Sequence, residues 1–339
     1  MKSKARFVLS KKKLLEQYKM VKDLADDVSY SLKTNPFVGS VLEKETKCFF
    51  SVHSKNIVET IKDKSRIWFF AQAWDYEELD ELFSQKIDKF IVDNEMDLKI
   101  LLAYIEKNDK KMDLMLRMKL KEKTIHTGKH FVFGMLVEQV NQLIPELKRN
   151  KLIKTLGIHF HRKTQNISEW SLKEDFLEEI KVFDLIDMVD IGGGLPIDYK
   201  NSRAKEVLPN IFNKIGELKE MLNKKNIKMI IEPGRFLAGP AMKLECYIKN
   251  IYNNNIIVDC SVYNSAMDTF VAHVRMKVEG ELEKGDAYTI KGSTPDSMDI
   301  IRYRVYLKNP KIGDKITFLN AGAYTFSTDF CGLEKLDVE

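Results

Sequence analysis

The chain has 339 residues, 44% of them hydrophobic and 31% charged, with a formal net charge of +5. That balance suits a globular protein in water, long enough for a barrel of about 250 residues and a small second domain. No like-charged block exceeds Lys11-Lys12-Lys13 and no apolar run approaches the roughly 18 residues of a membrane helix, so neither nucleic acid nor a membrane is an expected partner.

The N-terminus is basic, but only Phe7-Val8-Leu9 follow Arg6 before Ser10 and more lysines, too short a run for a signal peptide. Arg6 to Leu9 reads as a short strand. Ser10 then caps a helix with Leu14, Leu15, Tyr18, Val21, Leu24 and Ala25 on one face. Eight short apolar runs follow, at 28–32, 48–52, 67–70, 90–92, 114–118, 157–161, 188–191 and 229–231. Helical periodicity separates most of them, as at 75–83, 167–183 and 207–222. Strands alternating with helices in this number predict a parallel eight-stranded α/β barrel, with a doubly wound sheet as the alternative. After about residue 240 the helical spacing stops. Runs at 242–248, 256–262, 271–278 and 316–319 lie between clusters such as Asn253-Asn254-Asn255 and Lys284-Gly285-Asp286, which predicts an all-β domain. The expected division is a barrel over 24–240 and a β domain made of 1–23 and 241–339. Cys48, Cys246, Cys260 and Cys331 are far apart and form no C-x-x-C pair, which fits reduced cytoplasmic thiols better than disulfides or zinc.

A barrel carries its chemistry at the C-terminal ends of its strands, and the unusual residues fall there. Lys33, in Tyr30-Ser31-Leu32-Lys33-Thr34-Asn35-Pro36, lies just past the first. It either marks where the strand meets solvent or presents a desolvated amine as a nucleophile toward a carbonyl. His161 ends the sixth strand, on the same side as His159. No further ligand is close in sequence, so a metal is not expected, and His161 is either a core histidine or a group against a cofactor ring. Gly192, Gly193 and Gly194 follow the seventh strand. Three glycines exceed what a tight turn requires and let successive N–H groups aim at a phosphate. After the eighth strand come Glu232-Pro233-Gly234-Arg235. Arg235 can add a cationic donor to that phosphate, and Glu232 can pair with a protonated ring nitrogen; a surface turn is the plainer reading. Spacing alone makes Tyr324 a half-buried strand residue and Asp296 a turn residue.

Together these residues resemble the pyridoxal-phosphate decarboxylases of fold type III, the group of ornithine, lysine, arginine and diaminopimelate decarboxylases. The resemblance runs from about residue 6 to the C-terminus. Residues 30–36 are similar to Y-A-x-K-A-N-P, which implies that Lys33 bonds the pyridoxal 5'-phosphate cofactor. Gly157-Ile158-His159-Phe160-His161, with Thr164 and Gln165, is similar to G-x-x-F-H-x-G-S, which implies that His161 stacks on the cofactor and Thr164 replaces a phosphate-binding serine. The Gly192–Gly194 run, Glu232 to Arg235 with Gly234, and Gly322-Ala323-Tyr324-Thr325 are similar to G-G-G, E-P-G-R and G-A-Y-T, and Arg117 stands where the family has an arginine near the cofactor. The resemblance further implies that Asp296 binds an amine-tailed substrate, that Asp268 supplies a second acid for its distal ammonium, and that the chain forms a homodimer with sites at the interface.

Two departures stand out. Gly292-Ser293-Thr294-Pro295-Asp296-Ser297-Met298-Asp299 has Pro295 where the family has a cysteine that protonates carbon once CO2 has left, leaving Tyr263, Cys331 or water as stand-ins. Phe50-Ser51-Val52-His53-Ser54 has Ser51 where F-D-x-A-S has an aspartate. The implied activity is a cytoplasmic carboxy-lyase acting on ornithine or lysine and yielding an amine for polyamine biosynthesis. The alternatives are a diaminopimelate or conjugated-amino-acid decarboxylase, or a cofactor-binding homologue without turnover.

Overall fold

A computed structural model describes residues 4–120, 133–325 and 327–339. Residues 1–3, the start of the basic N-terminal run, lie outside the described residues. The chain divides into two compact units, one of residues 19–196 and 207–234, the other of 1–18, 197–206 and 235–339.

The first unit is a closed parallel barrel, as the alternating pattern predicts. With β1 reserved for Arg6–Leu9, its strands are β2 (Asp27–Ser31), β3 (Phe49–Val52), β4 (Ile67–Phe69), β5 (Lys89–Val92), β6 (Met112–Arg117), β7 (Ile153–His159), β8 (Met188–Asp190) and β9 (Lys228–Ile231). Two pairs, Asp27↔Ile230 and Val28↔Ile231, close the ring between β9 and β2. Strands covered on both faces are largely apolar, which is why these segments read as short apolar runs. Trp68, Phe70, Ile91, Met115, Met188 and Ile230 pack into one buried cluster with Phe49 against it. Residues from so many strands meet only inside the ring, and each buried large side chain contributes about 1.5–3 kcal/mol.

Caps set the helix boundaries. Asp75 accepts from the Glu78 N–H at 2.9 Å and starts helix Tyr76–Ser84. The periodicity over 167–183 yields a shorter helix, Leu172–Glu179. The Asn166 side chain accepts from the N–H groups of Ser168 and Glu169, and the Trp170 indole donates to the Asn166 carbonyl, so this stretch is held in a turn.

The second unit is a sheet of β10 (Met242–Tyr252), β11 (Asn255–Val258), β12 (Lys277–Val278), β13 (Ala287–Lys291), β14 (Ile300–Tyr306) and β15 (Lys315–Leu319), in the order β12-β15-β10-β11-β13-β14. The N-terminal strand joins it, pairing antiparallel with β10, and β16 (Asp337–Val338) runs parallel to β1. Two one-turn helices, Val262–Ser265 and Asp268–Val271, fall between the runs at 256–262 and 271–278 of the expected all-β domain. All four cysteines are free thiols, three of them buried. Among the described residues no helix is long and apolar enough to cross a membrane.

Candidate active site

Lys33 sits between two rigid elements. Strand β2 stops at Ser31, the chain tightens into a 3-10 turn over Leu32–Thr34, and Asn35 caps the next helix by accepting from the N–H groups of Phe37 and Val38 at 3.1 and 3.2 Å. Proline at the first helical position, Pro36, needs no N–H partner there. The Lys33 side chain keeps accessible surface, while partial burial of its amine lowers the pKa against the pull of Glu232. A lowered pKa leaves more of the free amine, the nucleophilic form.

Glu232 follows β9 and is 6% exposed. One carboxylate oxygen accepts from the Ser51 hydroxyl and the other meets His159 Nε2 at 3.0 Å. Ser51 in turn bonds Ser29 at 2.7 Å. Burial pushes the Glu232 carboxyl up, but the charge and hydrogen bond of His159 and the hydroxyl of Ser51 outweigh it and hold the pKa at about 2. Asp190 shows the opposite balance. Burial and the Glu232 charge push it well above the usual carboxylate range, its Oδ1 accepts from the Gly192 N–H at 2.8 Å, and its Oδ2 has no partner. Sequence spacing shows no third ligand near the histidines, yet folding brings ligand atoms of His159, Asp190 and Glu232 within 4.8 Å of one another. His159 Nε2 and Glu232 are hydrogen-bonded to each other, an arrangement that orients a carboxylate.

The strand carrying the histidines ends at His159, earlier than the sequence pattern implies, because the ladder with β8 stops at His159↔Asp190. His161 is held instead by the glycine run, with its Nδ1 accepting from the Gly193 N–H at 3.3 Å. That bond places the ring hydrogen of a neutral His161 on Nε2. Burial, with Arg117 and His159 adding to it, lowers His161 to about 3. The glycines are fixed by backbone crowding. A Cβ on Gly193 would lie 2.6 Å from the Glu232 carbonyl oxygen and one on Gly194 2.5 Å from that of Lys163, while one on Gly192 would strike the Phe160 carbonyl. Gly192 and Gly194 also have φ of +66° and +104°. Gly234 is equally confined, since a Cβ there would strike the Thr34 hydroxyl.

Arg117, at the end of β6, lays its guanidinium 5.1 Å from the centre of the Phe70 ring and 5.7 Å from that of Phe133. Its Nε is buried with no hydrogen-bond partner. Burial lowers its pKa while Asp93 and Glu232 pull it back. Phe70 also meets the rings of His159 at 5.1 Å and His53 at 5.4 Å. The barrel thus brings together Lys33, Arg117, His161, Gly192–Gly194 and Glu232 from the sequence reading, and adds Ser51, His53, Phe70, Asp93, His159 and Asp190. Ser29 and Ser51 carried a readable signal, as polar residues flanked directly by apolar ones in buried runs. Thr164 lies exposed in a turn next to Gln165, whose φ is +49°.

The second unit groups other residues. Arg235 is 5% exposed and grips Asp268 through both terminal nitrogens, one of them at 3.0 Å. It also donates to the Tyr199 hydroxyl at 3.0 Å, and its guanidinium lies 5.0 Å from the Tyr324 ring centre. Asp268, expected from the resemblance as a second acid for a substrate ammonium, therefore has Arg235 as its partner here. Tyr199 is pushed up to about 12, chiefly by burial. Asp296 is half-buried in a turn and accepts from the Met298 N–H at 2.6 Å. Burial and Asp296 together raise Tyr263.

These groups set the acid response of the cofactor-free protein. His53 and His161 drop from 6.5 to about 3 on folding. The unfolded chain then binds protons at these rings that the folded one refuses, so stability present above pH 6.5 is lost as pH falls toward 3. Asp190, raised on folding, works the other way as pH rises past 3.8. The histidines outnumber it, so the melting temperature is expected to fall steadily from pH 6.5 to 4. A flat profile by calorimetry across that range would contradict the burial of these rings.

Comparison with known proteins places both parts of the chain in one family. The description "Pyridoxal-dependent decarboxylase, pyridoxal binding domain" fits residues 12–239, and "Pyridoxal-dependent decarboxylase, C-terminal sheet domain" fits residues 238–322. A probable ornithine decarboxylase of Dictyostelium discoideum is 24% identical over 88% of this chain and 70% of its own length. A diaminopimelate decarboxylase of Aquifex aeolicus is 27% identical, over 74% of this chain and 63% of its own. The crystal structure of lysine decarboxylase from Selenomonas ruminantium superposes with a TM-score of 0.84 at 22% identity, covering 99% of this chain and 92% of that one, a likeness of fold.

Proposed function

The chain belongs to the pyridoxal-dependent decarboxylases, and on that footing we propose that it removes CO2 from a basic amino acid, ornithine or lysine, to leave a diamine. The observation that carries this reading is the ionised Glu232 carboxylate, fastened by Ser51 and His159, in the barrel that also presents Lys33.

The residues fit pyridoxal 5'-phosphate. His53 Nδ1, Arg117 Nε, His159 Nδ1 and Asp190 Oδ2 are buried polar atoms without partners in this barrel, and Lys33 opens onto accessible space. When bound, the cofactor supplies an electron sink for the pair left on carbon as CO2 departs. The chain's own groups do the rest. Lys33 offers the amine that fastens the cofactor. Glu232 holds a proton on the ring nitrogen, since a buried carboxylate favours a cation beside it. Ser51 and His159 fix the direction in which that carboxylate points. His161, held by Gly193, would lie against the ring. Phe70 and the Arg117 guanidinium bound the space and keep water out. Thr164, Gly192–Gly194, Gly234, Arg235 and Tyr324 take the phosphate in this reading, and Asp296 takes the distal ammonium. The Asp296 segment serves a second copy in a two-fold homodimer. The four free thiols support a cytoplasmic location. Pro295 favours a second reading, a diaminopimelate or conjugated substrate handled without the usual sulfur donor.

The test is labelled CO2 release from carboxyl-labelled ornithine, lysine, arginine and diaminopimelate, on a sample whose mass is measured by sedimentation. Release from ornithine or lysine by a dimer is expected. Release only from diaminopimelate moves the assignment to the second reading. Silence on all four, with cofactor bound, removes the basic-amino-acid assignment, and an active single chain removes the dimer.

A further inference from the structure

We propose that Asp268 and Tyr199 are positioning residues, which hold Arg235 so that one edge of its guanidinium is left to receive a phosphate, and that Asp268 does not meet the substrate. The inference rests on the assignment of Arg235 to the cofactor phosphate and deepens it.

All three residues belong to the second unit. Arg235 opens the helix Arg235–Ala241 and Asp268 the one-turn helix Asp268–Val271. Tyr199 sits in a turn, where its N–H donates to the Ser202 carbonyl at 3.0 Å. Three separate stretches of chain therefore converge on one side chain. Arg235 and Asp268 are each 5% exposed, and Tyr199 is 2% exposed.

A guanidinium carries five N–H donors in one plane. Nη1 gives one to Asp268 Oδ2 and one, at 3.0 Å, to the Tyr199 hydroxyl, while Nη2 gives one to Asp268 Oδ1 at 3.0 Å. Two donors are left, the Nε–H and the second hydrogen of Nη2, and in a planar guanidinium these point from the same edge. Nε is buried and has no hydrogen-bond partner among the described residues. An unmet buried donor on a cation is costly, so this edge is suited to an acceptor that a ligand brings. Two parallel N–H groups match two oxygens of a phosphate.

Asp268 has no oxygen left over for a substrate ammonium, since Arg235 engages both. To turn toward one it would leave a buried guanidinium without its counter-charge. Tyr199 adds no charge. Its hydroxyl takes the outer hydrogen of Nη1, which fixes the rotation of the guanidinium plane, and its ring and that of Tyr324 lie 5.8 and 5.0 Å from the guanidinium carbon.

The experiment titrates cofactor-free protein with pyridoxal 5'-phosphate and, separately, with pyridoxal, which has the same ring and aldehyde and no phosphate. The absorbance of the bound aldehyde is followed. The parent is expected to bind the phosphorylated form at least about a hundredfold more tightly, the effect of two hydrogen bonds from a charged group. Tyr199→Phe, which removes one oxygen and keeps the ring, is expected to narrow that preference by about tenfold, because a side chain that must be ordered on binding costs about that much. Asp268→Asn is expected to narrow it at least as far, with the affinity of both variants for pyridoxal equal to the parent's. Equal losses for the two aldehydes would mark a purely structural role and overturn the proposal, as would a Tyr199→Phe variant with the full preference. Tighter binding of pyridoxal 5'-phosphate by Asp268→Asn would reveal a carboxylate that competes with the phosphate. A raised KM for the amino acid at saturating cofactor, with the preference intact, would return Asp268 to the substrate. Either result overturns the proposal too. A parent that binds both aldehydes equally would instead strike the assignment of Arg235 to the phosphate.

Discussion

Lys33→Ala is expected to lose covalent capture of pyridoxal 5'-phosphate entirely and to lower CO2 release by at least about a thousandfold, a barrier increase of about 4 kcal/mol. Among the described residues of the barrel site, Arg117 is the other cation, and its guanidinium is wedged against Phe70 and does not become a free amine. The substitution is also expected to leave the melting temperature unchanged or higher. Lys33 lowers the basicity of His53 and is itself lowered by burial, so its removal relieves like-charge crowding and desolvation. Gain of stability with loss of turnover is the mark of a residue kept for chemistry. Borohydride trapping, labelled CO2 release and calorimetry on one preparation decide the matter. Release within tenfold of the parent would remove Lys33 from the reaction.

The second large effect concerns Arg235. Its guanidinium is buried and bonded through two nitrogens to Asp268. Arg235→Ala leaves the Asp268 carboxylate buried and unpaired, which costs about 3–5 kcal/mol. Loss on that scale is a large part of a domain's total stability, so urea unfolding is expected to shift clearly. Replacing both partners, Arg235→Met with Asp268→Leu, removes the stranded charge and is expected to recover most of the loss. If Arg235 also receives the cofactor phosphate, the double variant will be stable and still bind pyridoxal 5'-phosphate weakly. Full affinity in a well-folded double variant would confine Arg235 to structure.

What could be read from the sequence follows from how each feature is encoded. The barrel strands were legible because burial on both faces makes them short, largely apolar runs. Lys33, the glycines and Glu232 were legible because each breaks such a run at its end. Strands β13 and β14 were not, since sequences such as Arg302-Tyr303-Arg304 inside β14 mix charge with aromatics. Arg302 is nonetheless buried, with its charge met by both oxygens of Glu281. The helix carrying Asp268 spans four residues, too few for any periodicity to show. The contacts that steady Glu232 were the least legible part. Ser51, His159 and Glu232 are separated by 108 and 73 positions, and only closure of the ring makes them neighbours.

The glycine run has a consequence at the level of the gene. Every missense change reachable from a glycine codon by a single base adds a Cβ atom. At 192, 193 and 194 that atom would meet a backbone carbonyl, which unlike a side-chain tip does not swing aside. Three adjacent codons are therefore closed to amino-acid replacement by the way the chain packs against itself, before any ligand enters. Attempts to redirect this protein toward a new amino acid gain nothing by randomising them. The room for variation lies in the side chains that face the same space, and a mutagenesis library is best spent there.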